Sequence, residues 1–199
     1  KVFIVVEKLN ELSIIEKVAK ELGVQPNIGL RIKLVSTGQG RWSSSAGEHS
    51  KFGLNSIELM EALQIAKDKN ILDCIKLIHF HLGSQITNIR RIKNSLQEVG
   101  RFYSELMRFG CNIQYIDVGG GLGVDYDGSR STFASSTNYS VQEYANDVGY
   151  HLLEICNKEN LPHPNIISES GRAMTAHHSI LVVNVLDVTS FPEWSDTIE

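Results

Sequence analysis

Residues 74–121 read CIKLIHFHLGSQITNIRRIKNSLQEVGRFYSELMRFGCNIQYIDVGGG and contain one complete strand–helix–strand unit. The apolar runs at 74–80 and 113–118 have the length and composition of buried strands. Between them, apolar side chains recur every three or four residues from Ile89 to a stop at Gly110, which is the period of an amphipathic helix. Two buried strands joined by a helix are typical of a parallel sheet, because parallel strands need a crossover connection.

Further apolar runs with the length of strands lie on both sides of this unit, at residues 2–6, 28–34, 165–169 and 179–188. The resulting five or six β/α units predict an α/β fold, either a doubly wound sheet or a barrel. A closed (β/α)8 barrel needs eight strands and typically about 250 residues. If the fold is a barrel, this chain therefore supplies only its middle part.

Three more amphipathic helices are predicted between these strands. Asn10 is a good N-cap for the first of them, which ends at Gly23. Ser56 is the predicted N-cap of the second helix. Ser140 and Glu143 form the Ser-x-x-Glu capping box that opens the last one.

The composition excludes several classes of protein. Apolar residues make up 42% of the 199 and charged residues 21%, which is ordinary for a packed domain. With 19 Lys and Arg against 23 Asp and Glu, the net charge is −4, so no basic field attracts nucleic acid. The longest apolar run near the start has five residues, far below the roughly 20 of a membrane span.

The three cysteines, Cys74, Cys111 and Cys156, are odd in number and too widely spaced for a metal site. They fit reduced thiols in a cytoplasmic protein. The chain opens on Lys1, directly before a predicted strand and without a targeting segment. We therefore expect a piece of a longer polypeptide.

Polar and glycine-rich clusters mark the carboxyl ends of four predicted strands, where active sites of parallel α/β folds lie. The clustered residues are Arg31 in the second strand, His79, His81 and Ser84 at the third, Gly119, Gly120 and Gly121 after the fourth, and Glu169, Gly171 and Arg172 after the fifth. Because parallel strands end at the same edge of a sheet, we expect these residues to converge there.

Each cluster has a functional and a purely structural interpretation. The glycine triplet suits either a backbone nest for a phosphate or a tight turn without a ligand. It does not fit a dinucleotide-binding fingerprint, because Val124 stands where the third glycine would be. Glu169 and Arg172 suit either a cofactor clamp or an internal salt bridge. His79 and His81 point to the same face of a strand, and one of them could cover a flat aromatic ring.

No metal site is predicted. His177 and His178 are adjacent, so in an extended segment their side chains face opposite ways. Asp125 and Asp127 lie in a stretch that lacks the residue order of a calcium-binding EF-hand loop.

Taken together, the clusters resemble the fold type III pyridoxal-phosphate decarboxylases, and most closely the biosynthetic branch of that family that acts on arginine. The resemblance rests on several motifs in order, at residues 29–34, 50–54, 79–85, 117–131, and 169–173 with 175–178. It implies a (β/α)8 TIM-type barrel of the alanine-racemase-like kind, with residues 1–188 as the central part of its cofactor-binding domain. Residues 189–199 are then a tail or the start of a linker.

The resemblance also implies the cofactor and the role of each residue. Pyridoxal phosphate would be bound with Glu169 at the pyridine nitrogen, His81 stacked on the ring and Arg31 at its border. The phosphate would lie among the Ser84 side chain, the Arg172 side chain and four glycines. These glycines are Gly119, Gly120, Gly121 and Gly171. Glu169 and His81 would be the catalytic residues.

The implied reaction is decarboxylation of L-arginine to agmatine and CO₂ in polyamine biosynthesis, in the cytoplasm, with magnesium as an accessory ion. The family's Schiff-base lysine lies on an earlier strand, and Lys51 belongs to a different segment. The chain alone is therefore expected to be inactive, and the complete enzyme to be a homo-oligomer that shares its active site across a dimer. A decarboxylase of another basic amino acid (ornithine, lysine or diaminopimelate) and a non-catalytic phosphate- or cofactor-binding barrel module stay open as alternatives.

Overall fold

A computed structural model describes residues 1–35 and 50–190. Within them, five strands form one parallel sheet in chain order: β1 (Ile4–Val6), β2 (Ile28–Arg31), β3 (Ile75–His79), β4 (Tyr115–Asp117) and β5 (Asn165–Ile167). A doubly wound sheet reverses its strand order at a switch point, whereas a barrel wall does not. The sequential order therefore confirms the α/β class and identifies an arc of barrel wall, which the described residues do not close.

Helices connect the strands. They are α1 (Leu9–Leu22), α2 (Ser56–Asp68), α3 (Ile89–Phe109), α4 (Val141–Glu159) and a short α5 (Gly171–Thr175), with a 3₁₀ turn at Leu72–Cys74 before β3. Helix α3 packs against α4 and α1 against α2. Among the described residues, no helix is long and apolar enough to cross a membrane.

The predicted ends of α3 and α4 are confirmed, because both are fixed by local signals. Gly110 ends α3 in the left-handed region, with a φ of 107°. Ser140 and Glu143 form the capping box of α4, with reciprocal bonds between side chain and backbone.

The predicted N-caps of α1 and α2 are wrong by one or two residues. The N-cap of α2 is Asn55, not Ser56, because the Asn55 Oδ1 accepts from the amides of Ile57 and Glu58 at 2.9 Å. Helix α1 has Lys8 as its N-cap residue, ahead of Asn10. Asparagine and serine are about equally good caps, so Asn55 and Ser56 cannot be separated from sequence. Helix α1 begins earlier because the Glu11 carboxylate accepts from the amides of Glu7 and Lys8, at 2.7 and 3.1 Å.

The core lies on both faces of the central strand. Leu77 and Ile78 are adjacent in β3 and both are buried, which is usual for a parallel strand covered on two sides. Tyr103 of α3 is fully buried, and its hydroxyl donates to the Pro162 carbonyl at 2.6 Å. The bond ties α3 to the segment that enters β5.

The predicted sixth strand at 179–188 is not formed. Residues 179–190 have no helix or strand, and their apolar side chains are exposed. Residues 168–178 between β5 and this segment contain only the five-residue α5, which is shorter than the helices that connect the other strands. Of the predicted tail, residues 191–199 lie outside the described part of the chain.

Candidate functional site

The carboxyl ends of the strands bring the predicted polar residues to one edge of the sheet. The parallel register pairs Arg31 with His79, and His79 with Asp117. Glu169 lies just beyond the end of β5, and its backbone amide donates to the Gly119 carbonyl at 2.8 Å. The expected convergence of the strand-end clusters is therefore observed.

A histidine and two carboxyl groups form the centre of this edge. The His79 Nε2 lies 3.7 Å from the Glu169 Oε2. One ligand-type atom from each of His79, Asp117 and Glu169 lies within 4.8 Å of the others, a spacing that could also hold a cation. The His79 side chain is buried, and neither ring nitrogen has a hydrogen-bond partner among the described residues.

Burial shifts the pKa of two members of this cluster, His79 and Asp117. It lowers the pKa of His79 below its ordinary value, with the Arg31 charge acting in the same direction and Glu169 opposing it. His79 is therefore neutral at pH 7. Burial raises the pKa of Asp117, and the bond that its Oδ1 accepts from the Gly119 amide opposes the rise.

Arg31 is held by two neighbours. Its guanidinium forms an ion pair with Glu7, which follows β1, and lies 5.2 Å from the centre of the Phe52 ring. Sequence reasoning did not select Glu7. The signal was available, because Glu7 directly follows the first apolar run and so obeys the strand-end rule that selected the other clusters.

The glycine triplet passes through a space too narrow for any side chain. A Cβ on Gly120 would lie 2.5 Å from the Glu169 carbonyl oxygen, and one on Gly121 would lie 1.8 Å from that of Gly83. The backbone therefore forms a tight turn at this point. The nest interpretation remains compatible with it, because the amides of Gly120 and Gly121 have no hydrogen-bond partner within residues 1–35 and 50–190.

The remaining predicted residues lie around this turn. His81 and Ser84 are exposed on the loop after β3. Gly171 opens α5, and its amide donates to the Glu169 carbonyl at 2.8 Å. Arg172 is exposed, and no carboxylate of the described residues pairs with it. The salt bridge considered between Glu169 and Arg172 is not formed, because the Glu169 carboxylate lies next to His79 instead.

The loop after the glycines is tied down by side chains. The Gln85 amide bonds both the N–H and the carbonyl of Val124, at 3.0 and 2.8 Å. Asp125 accepts from the Ser136 hydroxyl at 2.6 Å, and Asp127 accepts from the Ser135 hydroxyl at 2.7 Å. The bond from the Ser135 hydroxyl, together with those from the amide and hydroxyl of Ser129, lowers the pKa of Asp127 to about 2. Both carboxylates are therefore engaged within the loop.

Comparison with known proteins identifies the family. Residues 1–176 match the family described as pyridoxal-dependent decarboxylase, pyridoxal binding domain. The biosynthetic arginine decarboxylase of Bacteroides thetaiotaomicron is 56% identical over 200 residues, which cover 100% of this chain and 32% of that protein. That of Rhodopirellula baltica is 55% identical over 186 residues, covering 94% of this chain and 28% of that protein. The chain thus spans about a third of the length of these relatives.

Two solved structures agree with this assignment. The biosynthetic arginine decarboxylase of Campylobacter jejuni has a TM-score of 0.71 and 42% identity, over 86% of this chain and 27% of that one. Diaminopimelate decarboxylase of Helicobacter pylori, in complex with L-lysine, has a TM-score of 0.69 and 28% identity, over 86% of this chain and 40% of that one. The chain belongs to the pyridoxal-dependent decarboxylase family.

Proposed function

We propose that the complete protein decarboxylates L-arginine to agmatine and CO₂, with pyridoxal phosphate bound at the sheet edge formed by Arg31, His79, Asp117 and Glu169. One observation carries the proposal. A carboxylate and unpaired glycine amides meet at the ends of adjacent strands, in a chain 56% identical to a biosynthetic arginine decarboxylase.

The phosphate end of the cofactor is assigned to the glycine turn. The unpartnered amides of Gly120 and Gly121 suit an anion, and the Arg172 guanidinium has no carboxylate to neutralise it in the described part. We assign Ser84, Gly119 and Gly171 to the same end. The Gly171 amide donates to Glu169 here, so its part in binding would require that bond to open.

The ring end is assigned to the side chains. His81 would cover the ring face, and Arg31, held by Glu7, would border it. Glu169 would face the pyridine nitrogen and keep a proton on it. When bound, the cofactor withdraws electrons from the substrate carbon as the carboxyl group leaves. The catalytic residues of this chain are therefore Glu169 and His81.

Other parts of the proposal concern the complete protein. We assign the cofactor lysine to a preceding strand outside this chain, the remaining site residues to a partner in a homodimer, and the protein to the cytoplasm. Magnesium would need its own ligands. The one metal-type cluster found in the described residues includes Glu169, which the proposal assigns to the ring nitrogen.

A cofactor titration of the 199-residue chain tests the site. We expect saturable quenching of protein fluorescence by pyridoxal phosphate and, after borohydride reduction, no covalent adduct by intact mass. Arg172→Met should weaken binding about 10-fold, the effect of losing one charge-assisted bond. Arg101→Met, which removes another exposed arginine on α3, is the matched control and should bind like the wild type. A specific adduct on Lys51 would contradict the proposal.

Product analysis on the full-length protein tests the substrate. Agmatine from L-arginine supports the proposal. Faster turnover of ornithine, lysine or diaminopimelate would assign a different basic amino acid. Cofactor binding by a full-length protein that releases no CO₂ from any of them would favour a non-catalytic module.

A further inference from the structure

The proposed function assigns no role to His79. Its neighbours have assigned roles toward the cofactor: Arg31 at the ring border, His81 on the ring face and Glu169 at the ring nitrogen. His79 lies among them with 8% of its surface exposed. Both of its ring nitrogens lack a hydrogen-bond partner in the described residues. A buried polar atom without a partner costs free energy, so such a group in a native fold calls for an explanation.

The nearest polar group is the Glu169 carboxylate. The His79 Nε2 is 3.7 Å from the Glu169 Oε2, and a hydrogen bond between nitrogen and oxygen needs 2.7 to 3.2 Å. The Glu169 side chain is 56% exposed, so a small rotation of its torsions can close this distance. His79 is held in place by the sheet and cannot move as freely.

Glu169 needs such a partner. Its backbone is fixed by the bond from its amide to the Gly119 carbonyl and by the close approach of Gly120. Its carboxylate accepts no hydrogen bond from the residues described here. A carboxylate that must stay aligned with a ring nitrogen benefits from a second bond that removes its rotational freedom.

We propose that His79 is a positioning residue, which donates its Nε2–H to Glu169 and holds that carboxylate toward the cofactor's ring nitrogen. This inference rests on the proposed function. The neutral imidazole has one N–H to donate, and the pKa of His79, lowered by burial and by Arg31, keeps it in that state at pH 7. His79 touches neither substrate nor cofactor in this role and acts only through Glu169.

Three substitutions separate positioning from packing. A glutamine side chain can present an N–H near the position of Nε2, an asparagine can do so only near Nδ1, and a leucine fills space without a donor. In the full-length enzyme, His79→Leu and His79→Asn should lower kcat about 10-fold to 100-fold with KM for the substrate within about 2-fold. His79→Gln should stay within about 3-fold of the wild type. His163→Gln, at an exposed histidine before β5, is the control.

A double-mutant cycle with Glu169→Gln gives the decisive readout. Because His79 acts through Glu169, His79→Leu should cost little further activity once the carboxylate is gone. Independent, multiplying losses would overturn the inference. So would equal losses in His79→Gln and His79→Leu, or losses that follow the thermal unfolding midpoint alone.

Two further measurements keep the possible failures apart. If the wild-type enzyme neither binds pyridoxal phosphate nor releases CO₂, the proposed function fails. If it does both and the cycle is multiplicative, only the role of His79 fails. Stoichiometric zinc or manganese in the purified wild-type protein, lost in His79→Gln, would assign the cluster of His79, Asp117 and Glu169 to a cation and overturn the inference.

Discussion

Gly121 shows how one residue position can determine the shape of the site. Its φ is 84°, which costs an ordinary residue about 1–2 kcal/mol, and a Cβ would lie 1.8 Å from the Gly83 carbonyl oxygen. This contact cannot be relieved by rotating a side chain, because the oxygen belongs to the backbone. We expect Gly121→Ala to lower the free energy of unfolding by about 3 kcal/mol or more, measured by urea unfolding followed by circular dichroism.

Gly149 provides the matched control for this prediction. It lies inside α4, and a Cβ there meets nothing within 4 Å. Gly149→Ala should therefore stabilise the chain by about 0.5–1 kcal/mol through helix propensity. Equal urea midpoints for Gly121→Ala and the wild type would show that the turn can open without cost.

The buried thiol of Cys111 leads to a prediction about reactivity. Burial raises the pKa of Cys111 to about 12, with the Asp73 charge adding to the rise. At pH 8 the thiolate, which is the reactive form, is then roughly one part in 10⁴. We expect iodoacetamide to leave Cys111 unlabelled in the folded chain and to label it in denaturant, as read by peptide mass mapping. Rapid labelling at pH 8 in the folded state would show that the thiol is accessible.

The same shift contributes to the change of stability with pH. An unfolded thiol loses its proton near pH 9, well before the folded one does. Between pH 9 and 12 the unfolded state therefore binds fewer protons, and the free energy of unfolding should fall as pH rises. Urea midpoints measured across this range test the sign, and a rising midpoint would contradict it.

The residues of the site were only partly predictable. The strand-end rule selects Arg31, His79 and Glu169 from sequence, and the structure confirms that they meet. Glu7 obeys the same strand-end rule, but its pairing with Arg31 is seen only in the structure. Asp117 gains its meaning only from the register, which puts it beside His79. Register depends on pairing between distant segments, so no local pattern contains it.

At the scale of elements, the N-cap of helix α2 leads to a prediction about stability. The Asn55 Oδ1 satisfies the amides of Ile57 and Glu58, whereas Ser56 is the first residue of the helix itself. We expect Asn55→Ala to lower the free energy of unfolding by about 1 kcal/mol, the usual cost of a lost cap. Ser56→Ala should change it by less than about 0.5 kcal/mol. Urea unfolding of both variants measures this, and the reverse order would restore Ser56 as the cap.

Helices were easier to predict than strands for a physical reason. Helix α3 was predicted at both ends because its period and its stop at Gly110 are local. The segment at 179–188 has a strand's composition, yet a strand exists only when another strand pairs with it. Its apolar side chains predicted a buried strand, and the structure leaves them exposed without a pairing partner.

At the scale of the whole molecule, the exposed apolar side chains of the described residues include some at both sheet edges and a row in the segment 179–188. Ile4 of β1 and Ile166 of β5 are each 47% exposed at the two edges of the sheet. The segment 179–188 exposes a longer row of apolar side chains, namely Ile180, Leu181, Val182, Val183, Val185, Leu186 and Val188. Unpaired sheet edges and contiguous apolar patches both promote association.

The segment 179–188 should dominate this association, because the edge strands are only three residues long and offer few free backbone groups. We expect the full chain to self-associate with rising concentration, and a chain ending at residue 178 to stay monomeric over the same range. Light scattering coupled to size exclusion measures both masses. The core lies before residue 178, so the shortened chain should keep its urea midpoint. If both chains associate to the same mass, the sheet edges and not the segment 179–188 cause the association. If the full chain stays monomeric at high concentration, the prediction is wrong, because neither apolar surface then binds a second copy.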